Sequence, residues 1–99
     1  MSYRLILHPD IHKDFTKLSK SQVILVLKQF KKLQTSPQLG KPLGNKVGYN
    51  LSGCRKLYVD KKKIRIVYRI IDKEIVVEVV VVDKREDMSV YKKANERLT

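Results

Sequence analysis

A chain of 99 residues, 42% hydrophobic and 32% charged, can bury one modest core and not two, so a single domain over residues 1–99 is expected. Lys and Arg number 22 against 10 Asp and Glu, a formal net charge of +12, and this excess points to a polyanionic partner such as RNA, DNA, an anionic membrane surface or an acidic protein. The lone Cys54 excludes an intramolecular disulfide, no Cys/His set has the spacing of a zinc site, and the apolar run at the start is too short for a signal peptide. The most apolar segment, Ile75 to Val82, is interrupted by Glu78 and falls well short of the ~20 residues of a membrane span. A soluble cytoplasmic protein without membrane, metal or cofactor is expected.

Tyr3 to His8 is a β-favouring run stopped by Pro9, a first strand. Asp10 is placed to cap a first helix whose apolar stripe is Ile11, Phe15 and Leu18. Ser19 and Gln22 match a capping box, and Val23, Leu27 and Phe30, flanked by Ile24, Val26 and Leu33, give a second helix a broad apolar face. All four glycines and Pro42 fall between residues 40 and 53, which reads as a loop or crossover.

From Cys54 the period becomes two. A turn at residues 60–63 places Val59 opposite Ile64, Tyr58 opposite Arg65, Leu57 opposite Ile66 and Lys56 opposite Val67. Leu57, Val59, Ile64, Ile66 and Tyr68 then face the helices, and Lys56, Tyr58, Arg65 and Arg69 face the other way. Setting Ile70 opposite Ile75 puts Glu78, Val80 and Val82 on that second face, a cationic floor with an aromatic in it. Asp87 or Ser89 would cap a terminal helix through Val90, Tyr91, Ala94 and Leu98. The fold class is α+β: an N-terminal strand and helical hairpin packed on one face of an antiparallel sheet, with a short C-terminal helix.

Two ordinary chemistries are set aside. His8 and His12 are separated by Pro9 and do not share a helix face, and Cys54 begins a strand without a nearby histidine base. The Gly-rich segment lacks the Gly-Lys-Ser/Thr ending of a phosphate loop. Asp83 and Glu86 stand among cations and are expected to orient Lys84 and Arg85. The cationic floor is the stronger signal: Arg55, Lys56, Lys61, Lys62, Lys63, Arg65, Arg69 and Lys73 outnumber Asp60 and Asp72, with Tyr58 interleaved, the make-up of an RNA-binding surface. Cutting RNA there without metal or histidine requires a group to take the 2′-hydroxyl proton, cations around the phosphorane and a donor for the leaving 5′-oxygen. Lysine and arginine can supply all three, since clustered cations lose protons more readily.

The pattern Lys56-Leu57-Tyr58, Ile64-Arg65-Ile66-Val67-Tyr68, Val79 to Glu86 and Val90-Tyr91 resembles the RelE toxins of the RelE/ParE toxin-antitoxin superfamily over nearly the whole chain. That resemblance implies a RelE-like fold and a metal-independent endoribonuclease cleaving mRNA in the ribosomal A site, among rRNA phosphates. It implies that Arg65 holds the scissile phosphate, Lys56 adds positive charge, Arg85 stabilises the transition state and helps protonate the leaving oxygen, and Tyr91 stacks on or orients the attacked nucleotide. Tyr58 stands where close RelE toxins often carry a second lysine, and its phenol can accept or donate a proton. Arg55, Lys61, Lys62, Lys63, Arg69 and Lys84 complete the expected RNA-binding set. A cognate antitoxin is the implied resting partner. The alternative within the same superfamily is a ParE-like toxin that inhibits DNA gyrase by protein binding and cuts no RNA; a module that only binds its antitoxin is the third.

Overall fold

The computed structural model describes residues 2–46, 48–84 and 89–99. Its elements run β1 (Arg4–Leu7), α1 (Ile11–Phe15), α2 (Lys20–Thr35), β2 (Lys41–Lys46), β3 (Tyr49–Val59), β4 (Ile64–Ile71), β5 (Val76–Lys84) and α3 (Ser89–Leu98). One mixed five-stranded sheet has the order β1-β5-β4-β3-β2. The expected meander β3-β4-β5 is antiparallel, while β1 joins the outer side of β5 in parallel.

The helices differ in detail from the expected pattern. Asp10 precedes α1 but makes no side-chain cap bond, and α1 stops at Phe15, leaving Leu18 in the turn beyond it. The Ser19 capping box is present: the Gln22 amide donates to the Ser19 hydroxyl at 3.2 Å and the Ser19 amide to the Gln22 side chain at 3.1 Å. On α2 the buried stripe is Val26, Phe30 and Leu33, whereas Ile24 and Leu27 are 53% and 48% exposed. A helix with apolar residues on two adjoining faces buries the one that meets the sheet, and the sheet's position decides which.

The glycine-rich segment is not a loop. Residues 41–46 pair antiparallel with 49–56 as β2 and β3, with a register shift between Pro42 and Gly44. Gly44, Gly48 and Gly53 all have positive φ, so these glycines serve the bulge and turn of a hairpin rather than interrupting the sheet.

The β3-β4 register is the expected one from Val59↔Ile64 to Lys56↔Val67. The next pairing differs: Ile70 faces Val77, and Val67 faces Val81 while Tyr68 faces Val79, so Val80 is an inserted bulge residue. The bulge reverses the facing of the residues beyond it. Val80 and Val81 both pack on the second face, whereas Val82 joins the helix-side core with Ile64, Ile66 and Tyr68. Glu78 remains on the second face, as expected, opposite Arg69.

That second face is not an open floor. Helix α3 lies across it, packing Val90, Tyr91 and Ala94 on Leu43, Leu51, Cys54, Val67, Val80 and Val81. Strand β5 is therefore covered on both sides, which is why its sequence is so rich in valine. Past the end of β1, the free edge of β5 is closed by side chains: the Val82 amide donates to the Asp14 carboxylate at 3.0 Å, and the Arg97 guanidinium donates to the Val80 carbonyl at 2.9 Å. Arg97 and Asp14 also meet in two bonds of 2.8 and 3.0 Å, tying α1 to α3.

Tyr68 is fully buried and its hydroxyl joins the sheet to the turn after α2, donating to the Pro37 carbonyl at 2.7 Å and accepting from the Gly40 amide at 2.8 Å. Burial pushes its phenol pKa up. Tyr68→Phe leaves both backbone groups unmatched and is expected to cost about 1–3 kcal/mol, read from the shift in urea midpoint. A change within about 0.5 kcal/mol would mean that the turn is held by its other contacts.

Candidate functional site

Four of the five residues expected to carry chemistry, Lys56, Tyr58, Arg65 and Tyr91, lie together at the end of the sheet near the β3-β4 turn. Tyr58 and Arg65 are register partners on β3 and β4, and Lys56 stands two residues along β3 on the same face. The Lys56 ammonium donates to the Tyr58 hydroxyl at 3.3 Å and lies 5.1 Å from the ring centroid; the Lys62 ammonium is 5.9 Å from the same ring. Across the strand pair, the Arg65 guanidinium donates to the Tyr91 hydroxyl at 3.0 Å and sits 5.1 Å from that ring. Arg65 is 4% exposed and Tyr91 3%, so this pair is buried beneath the start of α3.

The end of β5 closes this corner. Asp83 is the register partner of Arg65, and its carboxylate accepts from the Lys84 amide at 2.8 Å and from the Lys93 ammonium at 2.7 Å. The bond to Asp83 raises the Lys93 pKa. The carboxylate is thus an anchor for α3, two residues beyond Tyr91, as well as for the Lys84 amide. Arg85 and Glu86 lie outside the described residues.

The wider RNA-binding set divides. Lys61, Lys62 and Lys63 form the exposed β3-β4 turn beside Tyr58. Arg55 does not join them: alternation turns it to the other face, where its guanidinium donates to the Gly40 carbonyl at 2.7 Å and braces the turn after α2. Arg69 lies four residues along β4 from Arg65, roughly 13 Å away, and is ion-paired with Glu78. Lys84 is exposed, but its partner Ile64 belongs to the helix-side core, so it leaves the sheet on the face opposite Arg65. Hairpin alternation accounts for Arg55 and Lys84, and a cross-strand acid for Arg69.

Two participants went unread in the sequence. Lys41 is the register partner of Lys56, a neighbour hidden because residues 40–53 look like a crossover. The Asp83 to Lys93 bond joins a strand end to a helix and has no local signature. Cys54 is buried in the α3-side core and burial pushes its thiol pKa up, which suits packing and not nucleophilic attack. Among the described residues no group of three or more His, Cys, Asp or Glu is placed to hold a metal ion, and no helix is long and apolar enough to cross a membrane.

The turn that carries the lysines is strained. Asp60, Lys61 and Lys62 have φ of 54°, 54° and 70°, a run of left-handed conformation in residues with side chains. Gln22 on α2 helps hold it by donating to the Asp60 carboxylate at 3.2 Å. A left-handed residue costs about 1–2 kcal/mol, partly offset in glycine by its greater unfolded-state freedom. Lys61→Gly is expected to stabilise the fold by about 0.5–1 kcal/mol in denaturant titration; destabilisation would show that this turn is relaxed.

The same architecture occurs in proteins already known. Residues 5–88 match the family model described as ParE toxin of the type II toxin-antitoxin system parDE. A curated Escherichia coli protein described as RelE-like toxin is 32% identical over 98 residues, covering 99% of each chain. Among solved structures, a free E. coli RelE toxin with two arginines replaced superposes with a TM-score of 0.79 at 28% identity over all of both chains. The toxin of the intact E. coli RelBE toxin-antitoxin complex superposes at 0.70 with 26% identity, over 84% of this chain and 96% of that one. The fold is thus shared across the full length, and the chain belongs to the RelE/ParE superfamily of type II toxin-antitoxin toxins as a RelE-like member.

Proposed function

We propose that this toxin is a metal-independent endoribonuclease that cleaves mRNA in the ribosomal A site and so stops translation. The observation that carries the reading is the pairing of Arg65 with Tyr91 at 3.0 Å, with Lys56 and Tyr58 on the adjoining strand. Such a corner holds a guanidinium for a phosphate, an ammonium beside it and two aromatic rings for bases. In the proposed reaction the 2′-oxygen attacks the adjacent phosphorus as a site base takes its proton, and the P–O5′ bond breaks as Arg85 stabilises the developing charge and helps protonate the departing oxygen. The products are a 2′,3′-cyclic phosphate and a 5′-hydroxyl. Because Arg65 is covered, the phosphate reaches it only as the Tyr91 ring moves from the guanidinium onto the nucleotide.

A cognate antitoxin is the proposed resting partner, supported by the complexes in which RelE relatives are found with RelB. The charge of +12 suits an acidic toxin-binding segment and, in the active state, ribosomal RNA.

The match to a family model of ParE toxins favours a second reading, inhibition of DNA gyrase by protein binding without RNA cleavage. Primer extension on a message translated in a purified system separates the two. The ribonuclease reading expects cleavage within A-site codons that disappears with Arg85→Ala. Uncut message together with trapped gyrase-DNA complexes would replace it with the second reading.

A further inference from the structure

Lys41 and Lys56 are register partners on β2 and β3, so two ammonium-bearing chains leave one sheet face side by side. Like charges directly opposed in a sheet are destabilising, and neither lysine is ion-paired with an acid among the described residues. Strand β2 begins at Lys41, whereas β3 continues to Val59. At that step lies a cavity of about 200 Å³ lined by Leu39, Gly40, Lys41, Lys56, Leu57 and Tyr58. A Cβ on Gly40 would lie 2.5 Å from the Lys56 carbonyl oxygen, so only glycine lets the turn approach the strand this closely, and that approach shapes the cavity.

Leucine walls and an aromatic ring offer a face to a flat base, and paired ammonium groups offer a seat to its phosphate. A purely apolar ligand would leave the two lysines uncompensated, and a bare anion would leave the leucines and the ring unused. We propose that this cavity is a subsite for one nucleotide of a single-stranded RNA, its base against Tyr58 and Leu39 and its phosphate bridged between Lys41 and Lys56. The subsite rests on the ribonuclease reading and extends the bound RNA by one nucleotide from the phosphate at Arg65, the register partner of Tyr58. Tyr58 then serves as a stacking platform, which is why an aromatic suits a position where a lysine would leave the base unsupported.

The test is a ¹⁵N–¹H NMR titration of the full chain with each of the four nucleoside 3′-monophosphates, with inorganic phosphate, and with an RNA trinucleotide whose attacked 2′-hydroxyl is removed. Nucleotides are expected to shift the amides of Leu39, Gly40 and Leu57, while phosphate shifts only those of Lys41 and Lys56. Lys41→Ala and Leu39→Glu, both at exposed positions, should each weaken nucleotide binding about tenfold, and the trinucleotide should bind more tightly than any mononucleotide. Equal shifts from phosphate and nucleotides, shifts that spare Leu39 and Leu57, or a trinucleotide no tighter than a mononucleotide would each overturn the subsite. Binding is read without cleavage: nucleotide shifts in a protein that cuts no message would remove the ribonuclease reading alone, and message cleavage without such shifts would remove the subsite alone.

Discussion

Arg65→Lys is expected to lower single-turnover message cleavage at saturating ribosomes by about 100- to 1000-fold, the loss typical of one transition-state donor. Lysine keeps the charge but not the planar fork, which can grip a phosphate with two parallel donors. Arg65 also bonds the Tyr91 hydroxyl and lies over its ring, so the substitution should cost about 1–3 kcal/mol of stability as well. The two effects separate at 25 °C, where a fold of ordinary stability remains populated and a rate deficit reports the site. A deficit under about tenfold would reduce Arg65 to a packing role beneath α3. Tyr91→Phe makes a useful companion, since it keeps the ring over the guanidinium and removes only the hydroxyl.

Asp14→Ala should produce the largest loss of stability, about 3–5 kcal/mol. Asp14 is 3% exposed and its carboxylate takes three donors, two from Arg97 and one from the Val82 amide. Removing it strands a largely buried guanidinium and an unpaired amide at the edge of the bulged strand, and loosens α1 and α3 together. The Arg97 pKa is raised chiefly by its bond to Asp14, as expected for a charge stabilised by that partner. For a domain of this length the corresponding fall in Tm is about 12 °C or more. Asp10→Ala provides the contrast, because its pair with Lys13, at 3.5 Å, is exposed and should be worth under about 1 kcal/mol. Equal losses from the two substitutions would mean that the β5 edge does not depend on the Asp14 and Arg97 bridge.

Neither bridge nor bulge can be read from the chain. In Val79 to Val82 every residue is apolar and β-branched, so alternation gives no clue to which valine is inserted, and a one-residue insertion moved Val82 to the helix side. By contrast, Leu57 to Ile66 alternates cleanly, and its register could be derived from the turn length alone. The capping box at Ser19 and the Val90, Tyr91, Ala94 stripe of α3 were legible for the same reason: local spacing determines them. Where that stripe would land was not, because a floor counted only by its lysines and arginines conceals the Leu51, Val67, Val80 and Val81 platform beneath. The glycine hairpin was missed because glycine marks loops and bulges alike. For the site, alternation brought Lys56, Tyr58 and Arg65 together correctly, and it also turned Arg55 away, although charge clustering had counted it in.

In the proposed function this corner directs a 2′-hydroxyl onto the neighbouring phosphorus. A message carrying one 2′-deoxynucleotide at a mapped cleavage position, translated in the purified system, addresses it most directly. That position is expected to stay uncut while the all-ribose message is cleaved there to a 5′-hydroxyl end. Cleavage of the deoxy-substituted position at the ribose rate would contradict it.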